Sequence, residues 1–239
     1  MPLKKHIPNA VTSLNLLSGV LGVAAVCEAR IDIAFYLMIA GAVFDFCDGL
    51  LARALNAYSD KGKELDSLAD LVTFGVLPAL MLFRLMSICT FSTSPLCYLP
   101  LLMAVFAGLR LAKFNVDDRQ SHGFLGLPVP AATLIAGSLC YFIISEVGEV
   151  LGVWATGMVF FPIVAICLGV LMVSEVPMFS FKFSKDDSKA LKSKRLSLII
   201  CFVAIVAAVA ALGLNWSLAV LFSLLAYVLL NLALALFKV

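Results

Sequence analysis

The chain has 239 residues, of which 63% are hydrophobic and 13% charged, and its mean hydropathy is +1.08. A water-soluble domain is nearer half apolar and a quarter charged, so this composition excludes an ordinary soluble fold. The net charge of +2 gives no support for a nucleic-acid role, and the 7 cysteines contain no Cys-x-x-Cys pair of the kind that marks a thiolate metal or redox site.

About 20 apolar residues cross a bilayer as a helix. Eight such stretches follow one another at roughly 8–27, 32–54, 65–88, 95–115, 127–146, 150–174, 196–213 and 215–237. The expected class is therefore an all-α polytopic membrane protein. The first stretch follows Lys4 and Lys5 without a small-residue cleavage site and reads as a retained helix. The second ends in Asp45-Phe-Cys-Asp48-Gly49-Leu-Leu-Ala52-Arg53. The third opens with Gly62-Lys-Glu-Leu-Asp66-Ser-Leu-Ala-Asp70. Arg110, Lys113 and Asn115 close the fourth, and Pro128 and Pro130 open the fifth, where a first turn tolerates proline. Residues 176–195 are polar and basic and are expected to form a cytoplasmic loop, either merely solvated or attracting anionic lipid headgroups. Residues 196–239 form a closing helical hairpin with its turn near Gly213-Leu-Asn215.

Lys and Arg concentrate at the N-terminus, in the even-numbered loops and at Lys238, whereas the odd-numbered loops offer Arg30 and, near a helix end, Arg84. By the positive-inside rule both termini are cytoplasmic, as is the turn carrying the acidic motif. A prokaryotic cytoplasmic membrane is the expected location.

Acidic residues in apolar helices are functional candidates by default. Asp45 and Asp48 are three apart, and Asp66 and Asp70 four apart, so each pair shares a helix face. A hairpin of the two helices brings all four together, where they cannot all stay ionised without cations. Hard oxygen ligands in this number point to one or two Mg2+ or Mn2+ ions.

The pattern Asp-x-x-Asp-Gly-x-x-Ala-Arg, eight residues, Gly-x-x-x-Asp-x-x-x-Asp resembles the signature of the CDP-alcohol phosphotransferase family. It is carried here by Asp45, Asp48, Gly49, Ala52, Arg53, Gly62, Asp66 and Asp70. Further segments resemble the phosphatidylserine synthase branch: Ile7-Pro8-Asn9-Ala-Val-Thr12-Ser-Leu-Asn15, Ser67-Leu-Ala-Asp70-Leu-Val-Thr73-Phe-Gly75, Leu109-Arg110-Leu-Ala-Lys113-Phe-Asn115, Gly126-Leu-Pro128-Val-Pro130-Ala131 and Met172-Val-Ser-Glu-Val-Pro177. The resemblance implies a six-helix core over residues 1–175, which leaves the last two helices outside it. It also implies transfer of a phosphatidyl group from CDP-diacylglycerol to L-serine, a homodimer, and a site open to both bilayer lipid and cytoplasm. Related acceptors, glycerol 3-phosphate or inositol phosphate, remain alternatives, and a cation transporter is a remote one.

By the same resemblance Asp45, Asp48 and Asp66 are metal ligands, and Asp70 completes a second metal site and serves as general base. Asn9, Thr12, Asp48, Gly49, Ala52, Arg53, Gly62 and Thr73 are expected around the CDP-lipid. A glycine admits a ligand close to the backbone, although close helix packing explains it equally. For Asn9, Thr12 and Thr73, capping or i−4 backbone bonding is the competing reading. Arg110 is expected to pair with the serine carboxylate, with Lys113 and Asn115 nearby, unless it only anchors the interface by snorkelling.

Overall fold

The computed structural model describes residues 6–90, 94–116, 124–146, 158–178 and 189–236. Eight helices carry these residues. They are α1 (His6–Cys27), α2 (Ile31–Ala54), α3 (Asp60–Thr90), α4 (Pro95–Val116), α5 (Val129–Ser145), α6 (Phe160–Val173), α7 (Lys189–Ala211) and α8 (Ser217–Leu236). Five of them, α1 to α4 and α8, are long and apolar enough to cross a membrane, and α5, α6 and the Leu196–Ala211 part of α7 are shorter apolar helices. The protein is an integral membrane protein, because apolar helices of this length satisfy their backbone hydrogen bonds internally while presenting side chains to lipid.

Two boundaries differ from the sequence expectation. The basic segment 176–195 is not loop throughout, since α7 already begins at Lys189. A short strand also occupies Pro177–Met178. The first part of the expected 150–174 span falls outside the described residues, and α6 accounts for its second half.

Helices α1 and α2 pack along each other and against α3. Small residues make this approach possible: a Cβ built on Gly19 would collide with Thr73 Oγ1, and one on Gly41 would lie 2.5 Å from Thr73 Cγ2. Between lipid-embedded helices, such close contact replaces the missing hydrophobic drive. Phe35, Met38, Phe74, Leu77, Met81, Leu82 and Phe161 fill the interior.

Helix α3 is not uniform. An α-helical turn sequence, Asp60–Asp70, passes into a π-helical turn at Leu71–Val76 and returns to α-helix at Leu77–Thr90. The π turn starts at the residue after Asp70. Single π turns inside α-helices concentrate at functional sites. Here the turn is held from outside: the Thr73 hydroxyl donates to the Asn15 carbonyl, and the Thr133 hydroxyl donates to the Phe74 carbonyl.

A two-residue strand pairing joins the entry of α5 to the exit of α6. β1 (Phe124–Leu125) runs antiparallel to β2 (Pro177–Met178). Gly126 continues the link, donating its N–H to the Val176 carbonyl at 2.9 Å, at φ +79°. That left-handed backbone, crowded by the Met172 and Ser174 carbonyls, suits only glycine. The pairing fixes where Pro128 and Pro130 begin α5.

The closing pair of helices attaches through α8, which packs on α5 while α7 packs on α8. Phe35, Tyr36, Tyr141 and Trp216 gather at the end of α2 remote from Asp45 and Asp48, with the two tyrosine hydroxyls 2.8 Å apart. Aromatic side chains with polar tips favour the membrane–water boundary.

Candidate active site

The acidic motif folds as a helical hairpin. Helix α2 ends at Ala54, a loop of five residues follows, and Ser59 caps α3 by accepting the Gly62 N–H at 3.0 Å. Asp45, Asp48 and Asp66 thereby come together, each with a carboxylate oxygen within 4.8 Å of the others. Asp48 is only 6% exposed. Asp48 Oδ2 and Asp66 Oδ1 are buried and have no hydrogen-bond partner. Unpartnered carboxylate oxygens, crowded together and away from water, are what a divalent cation satisfies. The residues therefore fit a hard metal ion.

Asp70 stands apart from this trio. It lies one turn further along α3, about 6 Å at 1.5 Å per residue. Its Oδ1 accepts a hydrogen bond at 3.2 Å from Nδ2 of Asn15 on α1. The four acids meet at one end of the bundle; three form a cluster that could hold a metal ion, and the fourth lines a neighbouring cavity.

Two cavities flank the acids. The larger, about 520 Å³, is walled by Pro8, Asn9 and Thr12 of α1, Asp48, Gly49 and Ala52 of α2, and residues 57–60, 62, 63 and 66. The smaller, about 190 Å³, is lined by Asp70, Arg110, Phe114, Asn115, Pro128 and Pro130 among others. Lys63 and Asp66 line both, so the two cavities adjoin at the acidic cluster. The first turn of α3 faces the larger cavity, and a helix N-terminus favours a negative group there.

Most residues expected around a nucleotide line the larger cavity: Asn9, Thr12, Asp48, Gly49, Ala52 and Gly62. A Cβ on Gly62 would lie 2.9 Å from Asn9 Oδ1 and would displace that side chain in the cavity wall. Two do not line it. Thr73 on α3 is fully buried against α1 and α2, where its hydroxyl donates to the Asn15 backbone carbonyl. Arg53 is exposed and bends back along its own helix, donating from Nε to the Gly49 carbonyl at 2.9 Å. Ala57, Tyr58, Ser59 and Asp60 line the cavity without having been foreseen. The short loop before a Ser N-cap was the available signal.

Around the smaller cavity, Arg110 is 3% exposed and lies 5.3 Å from the centre of the Phe114 ring. Asn115 also lines it, and its amide donates to the Ser67 hydroxyl at 2.8 Å. Lys113 does not line it. Its Nζ pairs with Glu175 at 3.3 Å, tying the end of α4 to the segment after α6. One turn of helix separates Arg110 and Lys113, but Lys113 is drawn sideways to that carboxylate.

Against this geometry, the family model described as CDP-alcohol phosphatidyltransferase matches residues 5–161. The chain belongs to that family. The matched region contains every residue lining either cavity. Among curated relatives similar to it is the CDP-diacylglycerol–serine O-phosphatidyltransferase of Bacillus subtilis (strain 168), 36% identical over 140 residues, which cover 59% of this chain and 75% of the relative. The protein of the same name from Methanocaldococcus jannaschii is 32% identical over 170 residues, covering 71% and 72%. Another from Helicobacter pylori (strain ATCC 700392 / 26695) is 30% identical over 198 residues, covering 82% and 81%.

Proposed function

We propose that this chain transfers the phosphatidyl group of CDP-diacylglycerol to the hydroxyl of L-serine, forming phosphatidylserine and CMP. The observation that carries the reading is the adjoining pair of cavities, one large and rimmed by the acidic motif, the other small and holding a buried arginine. Family membership and the names of the similar proteins support the same reaction.

The larger cavity takes the cytidine and diphosphate, and the lipid's acyl chains remain in the bilayer. The smaller one takes serine. Arg110 receives the serine carboxylate through paired N–H donors, a geometry that a planar guanidinium provides. The serine hydroxyl then points toward the junction at Asp66, where the phosphorus bearing diacylglycerol lies. The serine oxygen forms a bond to that phosphorus as the bond to the CMP oxygen breaks. Asp70 accepts the hydroxyl proton, which it can do because proton loss accompanies attack rather than preceding it.

Asp45, Asp48 and Asp66 are the residues that would hold divalent cations, Mg2+ or Mn2+, with Asp70 completing a second position. Such ions, when bound, offset the charge of the diphosphate and of the departing oxygen. Each lining residue lies between Pro8 and Pro130, which supports a catalytic unit within residues 1–175; among the described residues the closing hairpin 196–239 contributes no lining side chain. The Lys and Arg distribution supports cytoplasmic termini and a site at the cytoplasmic boundary, where serine arrives from water and lipid from the membrane.

The test is transfer by detergent-purified protein with CDP-diacylglycerol and Mg2+ or Mn2+. Labelled serine, glycerol 3-phosphate and inositol phosphate are offered in parallel, and CMP and lipid product are followed. Phosphatidylserine formed with serine alone is the expected result. A different labelled lipid would discard serine as acceptor, and absence of CMP with every alcohol would refute the reaction.

A further inference from the structure

We propose that Asn15 is the positioning residue for Asp70, aiming its carboxylate into the acceptor cavity from a different helix. The proposal rests on the role given to Asp70 above.

Asn15 is fully buried in the middle of α1. A buried amide is costly unless both its donor and its acceptor are satisfied. Its Nδ2 donates to Asp70 Oδ1 at 3.2 Å, but its own Oδ1 is buried with no partner. A leucine would fill similar space with no orphaned atom, and apolar replacement of a buried polar group is often neutral or stabilising. Packing alone therefore gives no reason for an asparagine here. The bond to Asp70 does, because reversing the amide would set oxygen against oxygen.

The surroundings hold the backbone of this residue in place. The Thr73 hydroxyl donates to the Asn15 backbone carbonyl at 3.0 Å, and Thr73 belongs to the π turn that begins directly after Asp70. From the other side, Gly41 of α2 stands so close that an added Cβ would lie 3.0 Å from Asn15 Oδ1 and 2.5 Å from Thr73 Cγ2. Three helices thus meet at Asn15 with no slack. The π turn and Asn15 act on the same carboxylate, one through its own backbone and the other through a hydrogen bond. Asp70 lines the smaller cavity beside Arg110. A proton acceptor works only when it lies within hydrogen-bond reach of the proton in the right direction. Asn15 supplies that direction without touching either substrate.

The experiment uses the full chain purified in detergent, with Asn15→Leu and Asn15→Ala beside the wild type. It measures kcat, KM for serine and for CDP-diacylglycerol, binding of CMP with Mn2+ by calorimetry, and the melting temperature. Misplacing a reacting group by about 1 Å costs about 100-fold in rate, and a loss of that order in kcat is expected. Both KM values should stay within about twofold, the pattern of an interaction felt only in the transition state. Thr73→Val, which removes the bond to the Asn15 backbone carbonyl, should lower kcat in the same direction by less. If Asn15→Leu does not purify folded, the isosteric Asn15→Asp replaces donor by acceptor and should show the same loss. Wild-type kcat in Asn15→Leu overturns the proposal. So does a loss of kcat accompanied by weaker CMP binding and a lower melting temperature, which would make Asn15 a brace for the bundle. A wild type that releases no CMP with any alcohol overturns the reaction and this proposal together.

Discussion

Replacing Arg110 with glutamine tests how the smaller cavity recognises its occupant. Arg110 is 3% exposed, so water screens its charge little, and it lines the smaller cavity but not the larger. A hydrogen bond to a charged group contributes about 1.5–3 kcal/mol. At about 1.4 kcal/mol per factor of ten, loss of the serine carboxylate contact raises KM for serine by about 10- to 150-fold. The KM for CDP-diacylglycerol should remain near the wild-type value, since no atom of Arg110 reaches that cavity. Glutamine keeps part of the aliphatic stem but removes the guanidinium that stands 5.3 Å from the centre of the Phe114 ring, so a melting curve is needed to separate a binding effect from a packing effect. The assay is CMP release at fixed lipid and rising serine, then at saturating serine and rising lipid. Equal increases in both KM values, or none in that for serine, would refute the assignment of Arg110 to the acceptor.

Four further outcomes are expected. Asp70→Asn abolishes transfer while the protein still inserts and purifies as a folded species; turnover like that of the wild type would remove Asp70 from the reaction. Lys113→Met leaves KM for serine nearly unchanged, because Lys113 faces Glu175; its pair is 33% and 66% exposed, which limits the stability lost to about 0.2–1 kcal/mol, recoverable in the charge-exchanged double variant Lys113→Glu with Glu175→Lys. Gly41→Ala forces a methyl against Thr73 and Asn15 and is expected to destabilise the bundle by about 1–3 kcal/mol, read as a lower denaturation midpoint. Chelation of divalent ions stops CMP release and restoring Mg2+ or Mn2+ recovers it; activity in thoroughly chelated enzyme would sink the metal assignment.

The one-dimensional pattern determined a good deal of this protein. Runs of about 20 apolar residues announce membrane helices because a bilayer has a fixed thickness. The spacing of Asp45 with Asp48 and of Asp66 with Asp70 announces one acidic face on each of two helices because a helix repeats every 3.6 residues, and a hairpin joins the two faces. Most of the wall of the larger cavity was legible as well, since it belongs to the same two helix ends and to the start of α1. What followed from contacts between helices was not legible. Thr73 is spaced like a site residue, but the π turn and the close approach at Gly19 and Gly41 commit its hydroxyl to Asn15. Lys113 lies three residues from Arg110, and only the packed fold brings it within 3.3 Å of the Glu175 carboxylate, 62 residues away. Arg53 folds back on its own helix, and Asp70 accepts a hydrogen bond from an amide 55 residues away. Helical periodicity states which face a side chain occupies; which neighbour claims it depends on residues distant in sequence, and that was decided only when the helices packed.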